Sequence, residues 1–308
     1  MEQTNKRPLV ILTGPTAVGK TAASIGLAKA IGGEIISADS MQVYREMDIG
    51  SAKIRPEEMD GVPHHLVEFL DTDQTFSVAD FVERAKVLID EITARGRVPI
   101  VAGGTGLFVD SLVKNISFSQ VGSNAEIRNE LAEKSNEELF EKLVELDPKS
   151  AEDIHPNNRK RVIRALELCM SGTSKTEQNE NSMLCDSPYD ALYIGIGYKD
   201  RQKLYDRINK RVDLMLDSGL ENEARQMLGK QGLTARQAIG YKELQPYIDG
   251  NITLDEAVEG LKRETRRYAK RQLTWFRRNE NINWLYADEI SRDELVEKAV
   301  DIAKNHLK

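Results

Sequence analysis

The chain has 308 residues, of which 40% are apolar and 30% charged, and its formal net charge is −7. That length suits one large or two ordinary domains, and the balance fits a globular chain rather than a disordered or fibrous one. No apolar run reaches membrane-spanning length, residues 1–7 are polar rather than a charged-then-apolar leader, and Cys169 and Cys185 lack metal-ligand spacing. The expectation is a cytoplasmic protein with free thiols and no membrane partner.

Leu9 to Thr13 predicts a first strand, and the amphipathic run from Thr21 to Ile31 predicts a helix. Between them lies Gly14-Pro15-Thr16-Ala17-Val18-Gly19-Lys20-Thr21, with the full spacing G-x-x-x-x-G-K-[ST]. Glycines let successive backbone N–H groups face a polyphosphate, the helix start adds positive partial charge, and Lys20 adds a point charge. Thr21 offers a hydroxyl to a Mg²⁺ ion bridging phosphate oxygens. The loop holds a diphosphate or a triphosphate and does not choose between them.

A second strand, Glu34 to Ser37, runs into Asp39-Ser40-Met41-Gln42. Strand C-termini of an open α/β sheet face the ligand crevice, which puts Asp39 near bound phosphate as a base or Mg²⁺ partner. The same Asp-Ser pair also fits a helix N-cap. Val78 to Arg95 predicts a helix and Val98 to Ala102 a third strand, closed by Gly103-Gly104-Thr105-Gly106. A nucleotide hydrolase places an acid at such a strand end to organise Mg²⁺ and water, so Thr105 points away from γ-phosphate chemistry.

After Lys114 the character changes. Helical patterns cover Ala125 to Lys134, Asn136 to Leu146 and Asn158 to Ser171, and Thr173 to Pro188 reads as an exposed loop. Ala191 to Gly197 returns as a buried strand, and Asp200 to Lys308 reads as mostly helical. The fold class is α/β: a P-loop NTPase-like parallel sheet core from residues 1–115 and 191–308, with a small inserted helical domain, 116–190, and a helical C-terminal part.

Two basic clusters stand out on this acidic chain. Arg159, Lys160, Arg161 and Arg164 form one. In the other, Arg263, Arg266, Arg267, Lys270, Arg271 and Thr274 recur at helical steps, with Tyr268, Trp275 and Phe276 interleaved. A basic face is often only solvated surface, but two of them favour a nucleic-acid phosphate backbone.

The motifs resemble those of the tRNA dimethylallyltransferases. The matching segments are GPTAVGKT (14–21), DSMQVYREMDIGSAK (39–53), GGTGLFVDSL (103–112), HPNNRKRVIRALE (155–167), RVDLMLDSGL (211–220), ARQAIGYKE (235–243) and RRYAKRQLTWFRR (266–278), in family order across nearly the whole chain. The resemblance implies transfer of a dimethylallyl group from dimethylallyl diphosphate to N6 of the adenosine 3′-adjacent to the anticodon in tRNA, with diphosphate released. It implies that Gly14, Pro15, Thr16, Ala17, Val18, Gly19, Lys20 and Thr21 bind the diphosphate, with Thr21 on Mg²⁺ and Arg211 as a further donor. Asp39 becomes the general base, and Thr105 holds the base or diphosphate. Ser40, Met41, Gln42, Arg128, Lys160, Arg161, Val162, Ile163, Arg164, Gln237, Arg266, Arg267, Lys270 and Arg271 become tRNA contacts, with stacking on aromatics such as Tyr241 or Trp275. The implied partner is the anticodon stem-loop, and the acting unit a monomer.

Three readings compete. An ATP-dependent small-molecule kinase leaves Thr105 and the basic C-terminal helix unexplained. An adenylate isopentenyltransferase needs neither an inserted domain nor two cationic surfaces. A non-catalytic RNA-binding module needs neither the intact loop nor Asp39. The chain departs from the family pattern at Phe108 and Ser51, where Tyr and Thr are usual, and in Ser117 to Asn124, which lacks the expected prolines. It also lacks the Cys₂His₂ finger of eukaryotic relatives, which implies a bacterial-type enzyme.

Overall fold

Residues 6–116, 125–172, 174–177 and 186–308 are described in the computed structural model. Cys185, the Ser117–Asn124 stretch, residues 1–5 and most of the loop expected from Thr173 to Pro188 lie outside them. By contact density the chain divides into two compact units, residues 1–112 with 189–308, and residues 113–188.

In the larger unit, β1 (Arg7–Thr13) has five consecutive buried residues. A strand covered on both faces needs apolar side chains at successive positions, which is why Leu9 to Leu12 shows no polar alternation. β2 (Gly33–Ser37), β3 (His64–His65), β4 (Val98–Gly103), β5 (Tyr189–Gly197) and β6 (Ile282–Tyr286) join it in a parallel sheet of order β3-β2-β4-β1-β5-β6. Leu12 lies opposite Ala102 of β4 and Ile194 of β5, so the phosphate loop leaves the middle of the sheet. The chain winds outward from β1 in both directions, the arrangement that opens a ligand crevice at the strands' carboxyl ends.

The helices follow in chain order: α1 (Lys20–Ile31), α2 (Val78–Ala94) and α3 (Gly106–Val113), then α4 (Ala125–Ala132), α5 (Asn136–Leu146), α6 (Pro148–Asp153) and α7 (Arg159–Met170) of the smaller unit. Beyond β5 come α8 (Arg201–Asp217), α9 (Leu220–Met227), α10 (Tyr241–Ile248), α11 (Leu254–Phe276) and α12 (Arg292–His306). The pleat sends Val10 and Leu12 into one cluster with Leu27 of α1 and Leu295 and Ala299 of α12. On another part of the core, Phe108 of α3 stacks on Phe81 of α2 at 4.5 Å and meets Phe76 edge-on at 5.9 Å. A ring buried among rings has no use for a hydroxyl, which accounts for Phe108 in place of the usual Tyr.

The smaller unit has its own core of Leu131, Leu139, Leu143, Ile154, Val162 and Leu166. Asp147 is buried there and accepts bonds from the backbone N–H and hydroxyl groups of both Ser150 and Thr176. Burial alone would raise its pKa, but these four donors hold the carboxyl below the ordinary aspartate value.

Two strands depart from the sequence expectation. β6 falls inside the stretch read as mostly helical, where it pairs in parallel with β5. Its sequence, INWLY, is too short to separate from a buried helical turn by periodicity. β3 is only His64 and His65, half-buried at the sheet edge, and carries no apolar signal.

Gly14 sits at φ 141°, and a Cβ built on it would lie 2.1 Å from the carbonyl oxygen of Ile196 in β5. Gly14→Ala is therefore expected to cost about 2 kcal/mol or more, read as a lower urea midpoint at unchanged slope. A native midpoint would mean that β5 does not crowd the loop.

Candidate active site

At the carboxyl ends of the strands lies a cavity of about 770 Å³, walled by the phosphate loop, the β2 exit and faces of α8 and α11. Among the described residues its cationic side chains are Lys20, Arg207, Lys210, Arg211, Lys242 and Arg271, and its one carboxylate is Asp39. A chain of net charge −7 thus turns a strongly positive cleft inward. Low-dielectric walls focus such a field on an incoming anion.

Each part of the phosphate loop has a separate duty. Ala17 and Val18 are buried in the core, and of the two Ala17 lines the cavity. Gly19 caps α1 at φ 96° and leaves the helix N-terminus uncovered. Lys20 Nζ donates to the Pro15 carbonyl at 2.6 Å. Thr16 faces the cavity, but its backbone N–H is taken by Gln272 Oε1 at 2.9 Å. Thr21 lines both this cavity and a smaller one of about 60 Å³ that Ser37, Asp39 and His64 also line.

The electrostatics follow from the crowding. Burial first, and then the Arg211 charge, pull Lys20 down to about 7, against the attraction of Asp39. Burial likewise lowers Arg211, with Arg207 adding to the effect and Asp39 opposing it. Arg207 Nε is anchored on the Ala17 carbonyl at 2.5 Å. Arg207 and Lys210 went unnoticed in the sequence, although with Arg211 they recur at helical steps of three and four on α8.

Asp39 Oδ1 accepts from the N–H groups of Met41 at 2.9 Å and Gln42 at 3.3 Å. The capping and functional readings of Asp39 are therefore compatible, because one oxygen closes the turn while the residue lines the cavity. Ser40 and Met41 line it too. Gln42 turns its amide onto the carbonyls of Ser51 and Ala52, at 3.4 and 3.1 Å, so its NH₂ supports the cavity wall. Thr105 does not line the cavity; its Oγ1 is buried without a hydrogen bond of normal geometry, beside Tyr268. Burial, and then Asp39, push the Tyr268 phenol up.

Glu223 is a further supporting residue that the sequence did not reveal. Its carboxylate accepts from the N–H groups of Asp48, Ile49 and Gly50 and from the Tyr241 hydroxyl, at 2.7 to 3.0 Å. Tyr241 is 1% exposed, so it cannot stack on a base and instead braces this loop. The indole of half-buried Trp275 donates to Asp110 at 3.0 Å, and its ring packs on Gly106.

The expected RNA contacts separate by environment. On α11, Lys270 and Arg271 are exposed, Arg267 is exposed but paired with Glu264, and Arg266 is half-buried with a bond to Asn209 of 2.6 Å. Arg266 therefore ties α11 to α8. Gln237 lines the cavity. In the smaller unit Lys160 and Arg161 are exposed, whereas Arg128 and Arg164 both grip Glu167, a fully buried carboxylate, at 3.1 and 2.7 Å. Ile163 packs against that unit's core, and Val162, at 0% exposure, lies inside it. The side chain of Val162 thus cannot touch RNA; the motif's apolar positions are the packing side of an amphipathic helix.

Among the described residues no three His, Cys, Asp or Glu side chains gather to hold a metal ion, and no helix is long and apolar enough to cross a membrane.

Comparison with known proteins gives one consistent result. The family model described as IPP transferase matches residues 42–279. The tRNA dimethylallyltransferase of Halalkalibacterium halodurans is 49% identical over 298 residues, which are 94% of this chain and 95% of the relative. That of Clostridioides difficile is 47% identical over 311 residues, covering 98% and 99%. Among solved structures, the full-length tRNA isopentenylpyrophosphate transferase from Bacillus halodurans superposes with a TM-score of 0.75 at 46% identity, over 98% of this chain and 97% of that one. A eukaryotic dimethylallyltransferase acting on tRNA superposes at 0.82 with 27% identity, over 97% and 80%.

Lys20 makes anion binding pH-dependent. With its pKa near 7 in the ligand-free chain, Lys20 loses its charge as pH rises, and an anion that restores the charge must bind with uptake of a proton. Affinity for an alkyl diphosphate, measured by calorimetry, is expected to fall about tenfold per pH unit above 7. Lys20→Arg, which stays charged, should flatten that slope; equal slopes would count against the assignment.

Proposed function

The chain belongs to the IPP transferase family, and we propose that its cleft transfers a dimethylallyl group to N6 of the adenosine on the 3′ side of the anticodon in tRNA. The observation that carries the proposal is the set of six cations facing one carboxylate beside the phosphate loop. A diphosphate supplies the charge that Lys20, Arg207 and Arg211 lack, so the donor is dimethylallyl diphosphate with its anionic end on the loop. Val212, Leu214, Met215, Leu220 and Leu261 give the same cavity an apolar portion that suits a prenyl chain.

The adenine N6 lone pair is delocalised into the ring and attacks weakly. An allylic carbon compensates, because it carries cationic character as its bond to the diphosphate oxygen breaks. The new C–N bond forms at that carbon, the electron pair leaves with diphosphate, and the N6 proton passes to Asp39. Loop N–H groups, Lys20 and Arg211 stabilise the charge growing on the leaving group. Thr105 does not reach the cavity, and its Oγ1 lies beside the phenol of Tyr268, so its part in the transfer runs through Tyr268, which lines the cavity.

Mg²⁺ fits this donor set. It prefers one or two protein oxygens with phosphate and water making up the rest, and Thr21, whose hydroxyl follows the phosphate loop and which lines both cavities, offers one. Bound there with diphosphate, the ion supplies further charge for the leaving group.

Exposed Arg263, Lys270 and Arg271 of α11, with Lys160 and Arg161 of the smaller unit, take the RNA backbone. The target adenine leaves its stack to enter the cleft. A tRNA substrate supports a cytoplasmic setting.

Asp39→Ala is expected to lower kcat by about 10²- to 10⁴-fold while leaving the Kd for an anticodon stem-loop unchanged. Normal turnover in that variant would remove Asp39 from the role of base.

A further inference from the structure

α11 carries two sets of side chains. The basic set, including Arg263, Arg267 and Lys270, is exposed. The other set, Leu261, Thr265, Tyr268 and Gln272, recurs at steps of four, three and four and lines the cleft. Basic residues dominate this segment of sequence, and Gln272 is easily passed over among them.

Gln272 is 6% exposed and uses both ends of its amide. Oε1 accepts the Thr16 N–H of the phosphate loop at 2.9 Å, and Nε2 donates to the Gly104 carbonyl at 3.0 Å. One buried side chain thereby spans the loop after β1 and the turn after β4, the two walls between which substrate must sit. The contact is close. A Cβ added to Gly104 would lie 2.2 Å from Gln272 Nε2, at a backbone conformation any residue can adopt. Glycine at 104 thus makes room for the Gln272 amide. One turn earlier on the same face, Tyr268 lies beside Thr105 and within the field of Asp39.

We propose that Gln272 is a positioning residue for the transfer, fixing the phosphate loop, the Gly104 turn and the RNA-facing helix α11 in one frame. This rests on the reading of the cleft as a diphosphate site. The amide touches no reacting atom. It sets where the leaving group, held by the loop, lies relative to the base carried by Asp39. α11 presents cations to RNA on its exposed face and the amide to the loop on its buried one, so a shift of the helix moves both substrates' supports together. Reacting atoms displaced by about an ångström cost on the order of a hundredfold in rate.

Gln272→Met keeps the length and volume of the side chain and removes both hydrogen bonds. Gly104→Ala leaves Gln272 in place and drives its amide off both partners. The pair is measured with the native chain and the double variant: Mg-diphosphate Kd by calorimetry, stem-loop Kd, and steady-state kcat and KM at a temperature below each Tm. We expect each single variant to lose about ten- to a hundredfold in kcat, with stem-loop Kd and KM within about twofold. The double variant should be no worse than either single one, because both remove the same bridge. A native kcat in a folded Gln272→Met, or losses that multiply in the double variant, would overturn the inference alone. If Gln272→Met fails to fold, Gly104→Ala decides by the same readout, native kcat overturning the inference. Failure of the native chain to bind Mg-diphosphate would overturn the cleft reading and this inference with it.

Discussion

Placing Lys20, Arg207 and Arg211 in one cleft is unfavourable for the folded chain alone. Lys20 and Arg211 lose water on burial, the cations repel one another, and Asp39 is the one carboxylate among the cavity's described lining residues. The depressed Lys20 and Arg211 register that cost. The rest of the larger unit holds the arrangement in place: β1 delivers the loop from the middle of the sheet, Arg207 and Arg266 lock α8 to the loop and to α11, and Gln272 locks α11 to the loop. An arriving polyanion relieves the repulsion, so binding energy comes from a strain already present. A leaving group that gains negative charge during reaction is favoured by the same field.

The side chains that brace the loops matter as much as the cations. Gln42, Glu223 and Gln272 each satisfy backbone groups of loops that line the cleft. Loops have no ladder to fix them, and three buried or half-buried side chains supply what secondary structure would otherwise provide. In the smaller unit, Glu167 does a related job by holding Arg128 and Arg164 in fixed directions.

Legibility in the sequence followed the length and regularity of the signal. The strand, glycine turn and helix start around residues 9–31 could be read because a sheet covered on both faces demands an uninterrupted apolar run and the loop has a fixed spacing. β6 and β3 could not, being five and two residues long with no pattern distinct from a turn. Asp39 was found from topology, since strand ends in a parallel sheet face the crevice. Val162 and Tyr241 were misjudged as RNA contacts because a motif names residues without their facing, and both are core positions. Gln272 and Glu223 left no trace in one sequence, because a polar side chain bonding to distant backbone carries no periodicity.

The central claim is that this cationic cleft serves an allylic diphosphate and a tRNA loop rather than a free nucleotide. Product mass tests it most directly, after incubation with Mg²⁺, dimethylallyl diphosphate and an unmodified A-rich anticodon stem-loop, with AMP and ATP in parallel tubes. The account predicts a gain of one dimethylallyl group on the stem-loop and none on the nucleotides. Transfer to AMP or ATP, or no transfer with ATP consumed, would contradict it.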